Sequence, residues 1–159
     1  SLFALPGEYY YCSDGLWDDE AEGYVKDANG HYVPGKEHYF QGENIWKGPI
    51  TILVTMNSAS AADHLTKVMQ GMENVTVMGF TEPNGCGQGI HGIHLASGDL
   101  SFSSALMLEK NGDIYVDSGV DLESGNDIDV RVPFDEEAVR VLFDEGGDYL
   151  LQKCLEYYE

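Results

Sequence analysis

Ser58, Ser60 and Asp63 fall together in Thr51-Ile-Leu-Val-Thr-Met-Asn-Ser-Ala-Ser-Ala-Ala-Asp63, where a buried-looking strand hands over to a helix through a turn of small residues. A serine at such a junction is held at a fixed point beside backbone N–H groups that have no partner inside the helix and that favour developing negative charge. Those are the requirements of a nucleophile standing next to half of an oxyanion hole, which is acyl-transfer chemistry. A serine-rich N-cap on an ordinary βα unit meets the same pattern, and on spacing alone it is the simpler reading.

The remaining reactive side chains have ordinary readings. His64 lies one turn after Ser60 on the same side of the helix, a minor candidate base whose reach is awkward because of the helix rise. His91 and His94 are three apart on a presumed strand, hence on opposite faces, which argues against a shared metal. His31 and His38 belong to an irregular, exposed-looking stretch. Asp27-Ala-Asn-Gly30 shares the start of a calcium loop but lacks the other ligands, so a turn is expected. Cys12, Cys86 and Cys154 have neither disulfide nor CxxC metal spacing. Cys154 is expected in the core, on a helix face with Leu150, Leu151 and Leu155. No metal and no cofactor is expected.

The elements that must position these groups can be read from the pattern. Residues 1–48 form an irregular N-terminal segment rich in tyrosine, glycine and acid, with a possible strand at Glu8–Cys12 and turns at Asn29-Gly30 and Pro34-Gly35, packing on a core formed by 49–159. Ile50–Thr55 is a continuous β-branched run, as expected of a strand covered on both faces. A helix follows from about Ala59 to Met72, with Ala61, Leu65, Val68, Met69 and Met72 on one face. Val75–Gly79 then completes a β-α-β unit, which implies a right-handed crossover and a parallel pair. A glycine-rich loop spans Phe80–Gly89, strands are expected at Ile90–Ala96 and Leu100–Leu108, and Asn111-Gly112 turns back to Ile114–Val116. After Asp127–Val132, Asp135 should cap a helix with Phe134 and Val139 as its staple. Gly146-Gly147 should end that helix, and Asp148 should cap the last one.

Charge narrows the function classes. With 28 acidic and 8 basic residues the 159-residue chain carries a net charge of −20, a surface that repels phosphate backbones and anionic lipid, so no nucleic-acid partner is expected. No run is long and apolar enough to span a bilayer, and no signal peptide is visible. The length suits one domain with a real core, 43% hydrophobic in composition.

Taken in order, these segments from about Gly48 to Leu155 resemble the C-terminal half of the catalytic domain of tail-specific, or C-terminal processing, serine peptidases. The resemblance rests on the buried strand, the Ser-Ala-Ser-Ala-Ala-Asp turn, the helix, the strand ending in Gly79, the glycine-rich loop, the Asp127-Ile-Asp-Val130 segment and the closing Val-Pro helix. It implies an α/β fold, a crotonase/ClpP-like spiral of ββα units with a mixed sheet and flanking helices. It implies peptide or protein substrates, Ser60 as nucleophile, and Ala61 as donor of a backbone N–H to the oxyanion. Asp63 matches an acidic position that should favour the positive helix end, and Ser58 a cap or turn residue.

The chain also departs from that pattern. Many members carry a lysine base in a Gly-Lys-Gly loop, where this chain has Gly85-Cys86-Gly87 and no lysine from Phe80 to Glu109. Cys86 thus stands at the lysine position, and a thiol is a poor substitute for a desolvated amine. A tricorn-core-like branch uses a histidine oriented by an acid before a Gly-Val pair, which makes Asp117 the candidate orienting acid and puts the histidine upstream, in a missing half or a second chain. The resemblance implies an extracytoplasmic or secreted location. Two further readings stand beside the peptidase: an inactive relative that binds peptides or apolar ligands, and, more remotely, an acyl-CoA enzyme with Asp117 or Glu123 as base.

Overall fold

The computed structural model describes residues 9–40, 43, 46–85, 89–109, 111–114 and 126–159. The chain divides into two compact units, one comprising residues 1–46 and 86–117, the other 47–85 and 118–159.

In the first unit the strands are β1 (Tyr9–Gly15), β2 (Trp17–Asp18), β3 (Gly23–Tyr24) and β4 (Pro34–Tyr39). The segment read as irregular therefore carries four strands. Their sequence is polar and glycine-rich because most of the described positions stay in water, which hides the alternation a half-buried strand would show. β4 and the later short strand Met107–Leu108 flank β1, both antiparallel. Tyr24 knits the unit: its ring is edge-on to Trp17 at 5.1 Å, and its hydroxyl accepts the Leu106 N–H at 3.0 Å. Gly89–Leu95 and Gly98–Ala105 form a long antiparallel hairpin with Ile93 opposite Leu100 and His94 opposite Asp99. His91 and His94 do project to opposite faces, His91 toward the Phe102 ring and His94 toward the Asp99 carboxylate. Leu108 and Ile114 bridge across the Asn111-Gly112 turn, and Gly112 adopts the positive φ that such a turn requires.

The second unit is built on a parallel sheet. β5 (Ile50–Val54) and β6 (Val75–Gly79) pair in register from Ile50↔Val75 to Val54↔Gly79, joined by α1 (Ala61–Gln70). With β7, β8 and β9 assigned to the hairpin strands and Met107–Leu108, β10 (Val130–Arg131) adds to the far side of β6, also parallel. All three strands thus end at the same edge. Met78 packs with Val132, Ala138, Val141, Tyr149 and Leu150 on the face covered by α2 (Glu136–Val139), its π-helical continuation to Asp144, and α3 (Tyr149–Tyr157). Val77, buried on the opposite face by strand alternation, looks toward α1. Burial on both faces is why these strands read as continuous apolar runs.

Caps fall where the sequence places them. Asp135 accepts the Ala138 N–H at 2.9 Å and Asp148 the Leu151 N–H at 3.0 Å, and Gly146 takes a positive φ after the helix. Phe134 lies edge-on to Phe80 at 5.1 Å, and both it and Val139 are exposed. Two packing expectations are corrected. On α3, Tyr149 and Leu150 are buried and Cys154 is half-buried against the core, while Leu151 and Leu155 are exposed. On α1 the buried residues are Asp63, Thr66 and Met69, whereas Leu65 is 56% exposed. Among the described residues no helix is long and apolar enough to cross a membrane.

Candidate active site

The turn between β5 and α1 is braced from within. The Ser58 N–H donates to the Thr55 carbonyl at 2.8 Å, and the Thr55 N–H donates to Ser58 Oγ at 3.2 Å. Asn57 N–H reaches Thr55 Oγ1 at 3.2 Å. Ser58 is therefore a turn residue, its hydroxyl turned back toward the end of the strand.

Ser60 is different. It stands at the N-cap of α1 with φ 55° and ψ −115°, and its side chain makes no cap hydrogen bond to its own helix. Apart from Glu22 it is the one non-glycine residue with positive φ among the described residues, and its ψ puts it outside the left-handed helical well. A bulkier-than-glycine residue persists in such a conformation only when its surroundings over-determine it. Ser60 is exposed, and the following Ala61 N–H, first of the helix, has no partner within it. The arrangement resembles the sharp strand-to-helix elbow on which hydrolases present a nucleophilic serine.

The loop after β6 bonds to the chain on either side of Ser60. Asn84 N–H donates to the Ser58 carbonyl at 2.8 Å, and the buried Gly85 donates its N–H to Asp63 Oδ2 at 3.0 Å. Asp63 is completely buried, and its own carbonyl accepts from Asn126 Nδ2 at 3.1 Å. Asp63 does lie in the first turn of α1, as its sequence position requires, but its carboxylate is spent on the loop. Asn126 was not singled out by the sequence; a lone asparagine in a Gly-Asn-Asp run reads as a turn, and nothing local signals its burial. His64 donates its backbone N–H to the Ser60 carbonyl, a helical bond. Cys86 and Asp117, the candidate base position and orienting acid, lie outside the described residues. Among the described residues no three His, Cys, Asp or Glu side chains are grouped as a metal site needs.

The family comparison gives this parallel α/β sheet and its strained serine turn a place. The model of peptidase family S41 matches residues 12–123, and the chain belongs to that family. The match takes in the end of β1, β2 to β4 and the hairpin as well as the β5-α1-β6 unit. No curated protein matches the chain. Among solved structures, a candidate peptidase from Parabacteroides merdae is similar over 98% of this chain and 44% of its own length, with TM-score 0.65 and 20% identity. Mature CPAF complexed with lactacystin is similar over 87% of this chain and 36% of its own, with TM-score 0.56 and 16% identity. At those identities the likeness is one of fold, a mixed α/β fold shared with S41 peptidase domains. The chain spans less than half the length of these structures.

Proposed function

We propose that this chain supplies the nucleophile of a serine peptidase. The observation that carries the reading is Ser60: an exposed non-glycine residue at φ 55° and ψ −115° on a strand-to-helix turn, its hydroxyl not spent on capping. Ser60 Oγ attacks the carbonyl carbon of a peptide bond as a base takes its proton. The oxyanion is held by the Ala61 N–H and a second donor, at the positive end of α1. Collapse expels the amine, which leaves with that proton, and water then hydrolyses the ester on Ser60. With no lysine from Phe80 to Glu109, the base in this reading is a histidine from an upstream segment or a second chain, oriented by Asp117, and Cys86 takes no part. Family membership supports peptide substrates, and by the same analogy cleavage near C-terminal tails and an extracytoplasmic location.

The missing loop lysine equally favours a second reading, a relative that binds peptides without cutting them. A fluorophosphonate probe on the complete protein, with the upstream segment or second chain that supplies the histidine present, separates the two. Labelling that maps to Ser60 and vanishes in Ser60→Ala supports the peptidase. No labelling, or labelling that persists in Ser60→Ala, supports the binding protein.

A further inference from the structure

Two adjacent residues, Asn84 and Gly85, grip the chain on both sides of Ser60: Asn84 at the carbonyl of Ser58, two residues before it, and Gly85 at the carboxylate of Asp63, three residues after. The first grip is backbone to backbone. The second depends on one side chain, a carboxylate buried completely, a placement that would be costly without compensating hydrogen bonds. Gly85 meets it with a positive φ, and Asn126, itself 3% exposed, ties the same Asp63 from a third segment through its carbonyl. Asp63 is therefore the point where the helix of Ser60, the loop after β6 and the segment leading to β10 are fastened together.

We propose that Asp63 is a positioning residue, whose buried carboxylate holds the Asn84-Gly85 loop across the Ser60 turn and so keeps Ser60 in its strained conformation, with Asn126 as the second tie. The role rests on the peptidase reading and deepens it. Asp63 touches no reacting atom; it acts through Gly85. Releasing that tie removes the over-determination that a positive-φ serine needs, and Ser60 relaxes away from the line of attack. Small misplacements of a reacting atom are costly: displacement on the order of 1 Å lowers rates about 100-fold.

The test uses the complete protein, including the segment or second chain that supplies the histidine, with fluorophosphonate labelling at Ser60 and thermal unfolding measured on the same samples. Asp63→Asn keeps an acceptor for the Gly85 N–H and should label within about tenfold of the parent, whereas Asp63→Ala should fall about 100-fold at a temperature where it is fully folded. Amide exchange at Gly85 should speed up in Asp63→Ala and stay protected in Asp63→Asn. If the parent labels and folded Asp63→Ala labels equally fast, the positioning role is wrong while the peptidase reading stands. Equal losses in the Asn and Ala variants, in step with their melting temperatures, also overturn it, leaving only a structural role. If the parent is not labelled at all, the peptidase reading fails and this role with it. Should Asp63→Ala not fold, a folded Asp63→Asn that loses much more than tenfold overturns the hydrogen-bond account.

Discussion

Val54 and Gly79 stand opposite each other at the carboxyl ends of β5 and β6, so close that a Cβ on Gly79 would lie 2.6 Å from the Val54 carbonyl oxygen and 2.9 Å from that of Thr81. Both obstacles are backbone, which cannot swing aside. Gly79→Ala should therefore destabilise the second unit by ~2 kcal/mol, in the range of overpacking at a rigid site. Urea unfolding followed by circular dichroism measures it; a midpoint unchanged from the parent would show that the strand ends can part without cost.

The strain at Ser60 has a sign that stability measurements read directly. Glycine adopts φ 55° freely, whereas alanine is strained there as serine is. Ser60→Gly should be more stable than Ser60→Ala by ~1 kcal/mol, with probe labelling absent in both. Equal stability of the two would mean the conformation is not strained in solution.

Asp148 closes the first turn of α3 by accepting the Leu151 N–H at 3.0 Å. Asp148→Ala should cost ~1 kcal/mol, and Asp148→Ser should recover most of it, because serine also accepts at an N-cap. The paired melting temperatures decide the matter, and a Ser variant as unstable as Ala would refute the capping account.

Tyr149 sets an alkaline limit. Desolvation, aided by the negative charges of Asp135 and Glu137, raises its phenol above the ordinary value of 10.0 in the folded chain. The Glu156 carboxylate, by hydrogen bonding, holds the Lys153 ammonium above 10.5. In each case the folded state keeps its proton longer than the unfolded chain does, so stability falls as pH rises. The contribution is complete below about pH 10 and is lost on passing the raised folded values. Melting temperatures taken from pH 8 to 11 should decline at the top of that range, less steeply in Tyr149→Phe. An identical decline in the variant would remove Tyr149 from the account.

Much of the second unit is legible in the sequence, because its strands are covered on both faces and its last two helices, α2 and α3, begin at capping aspartates. Ile50–Val54, Val75–Gly79, Asp135 and Asp148 declare themselves by local chemistry. What stays hidden depends on tertiary partners. The apolar spacing of α1 points to a face containing Ala61 and Leu65, yet the helix buries Asp63 and Thr66, since Gly85 donates to the one and the Ala62 carbonyl accepts from the other at 2.9 Å. A charged residue in a first helical turn reads as a dipole partner; only the loop's arrival makes it a buried anchor. In the first unit the hairpin strands are legible at Ile90–Ala96 and Leu100–Leu108, while β2, β3 and β4 stay hidden for the opposite reason, too little burial to write a pattern.

Because β5, β6 and β10 run the same way, the sheet has a front and a back. The Ser60 turn and the Asn84-Gly85 loop leave from the front. At the back, the Met72–Asn74 connection is pinned where Asn74 Nδ2 donates to the Gly48 carbonyl at 2.6 Å, and the Ile50 N–H donates to the Asn74 carbonyl at 2.9 Å. Exposed Glu73 sits there, a strand's length of roughly 16 Å from the other edge. A fluorophore, surface tether or fusion partner attached at that position would report on or immobilise the domain while leaving the serine edge open to solvent.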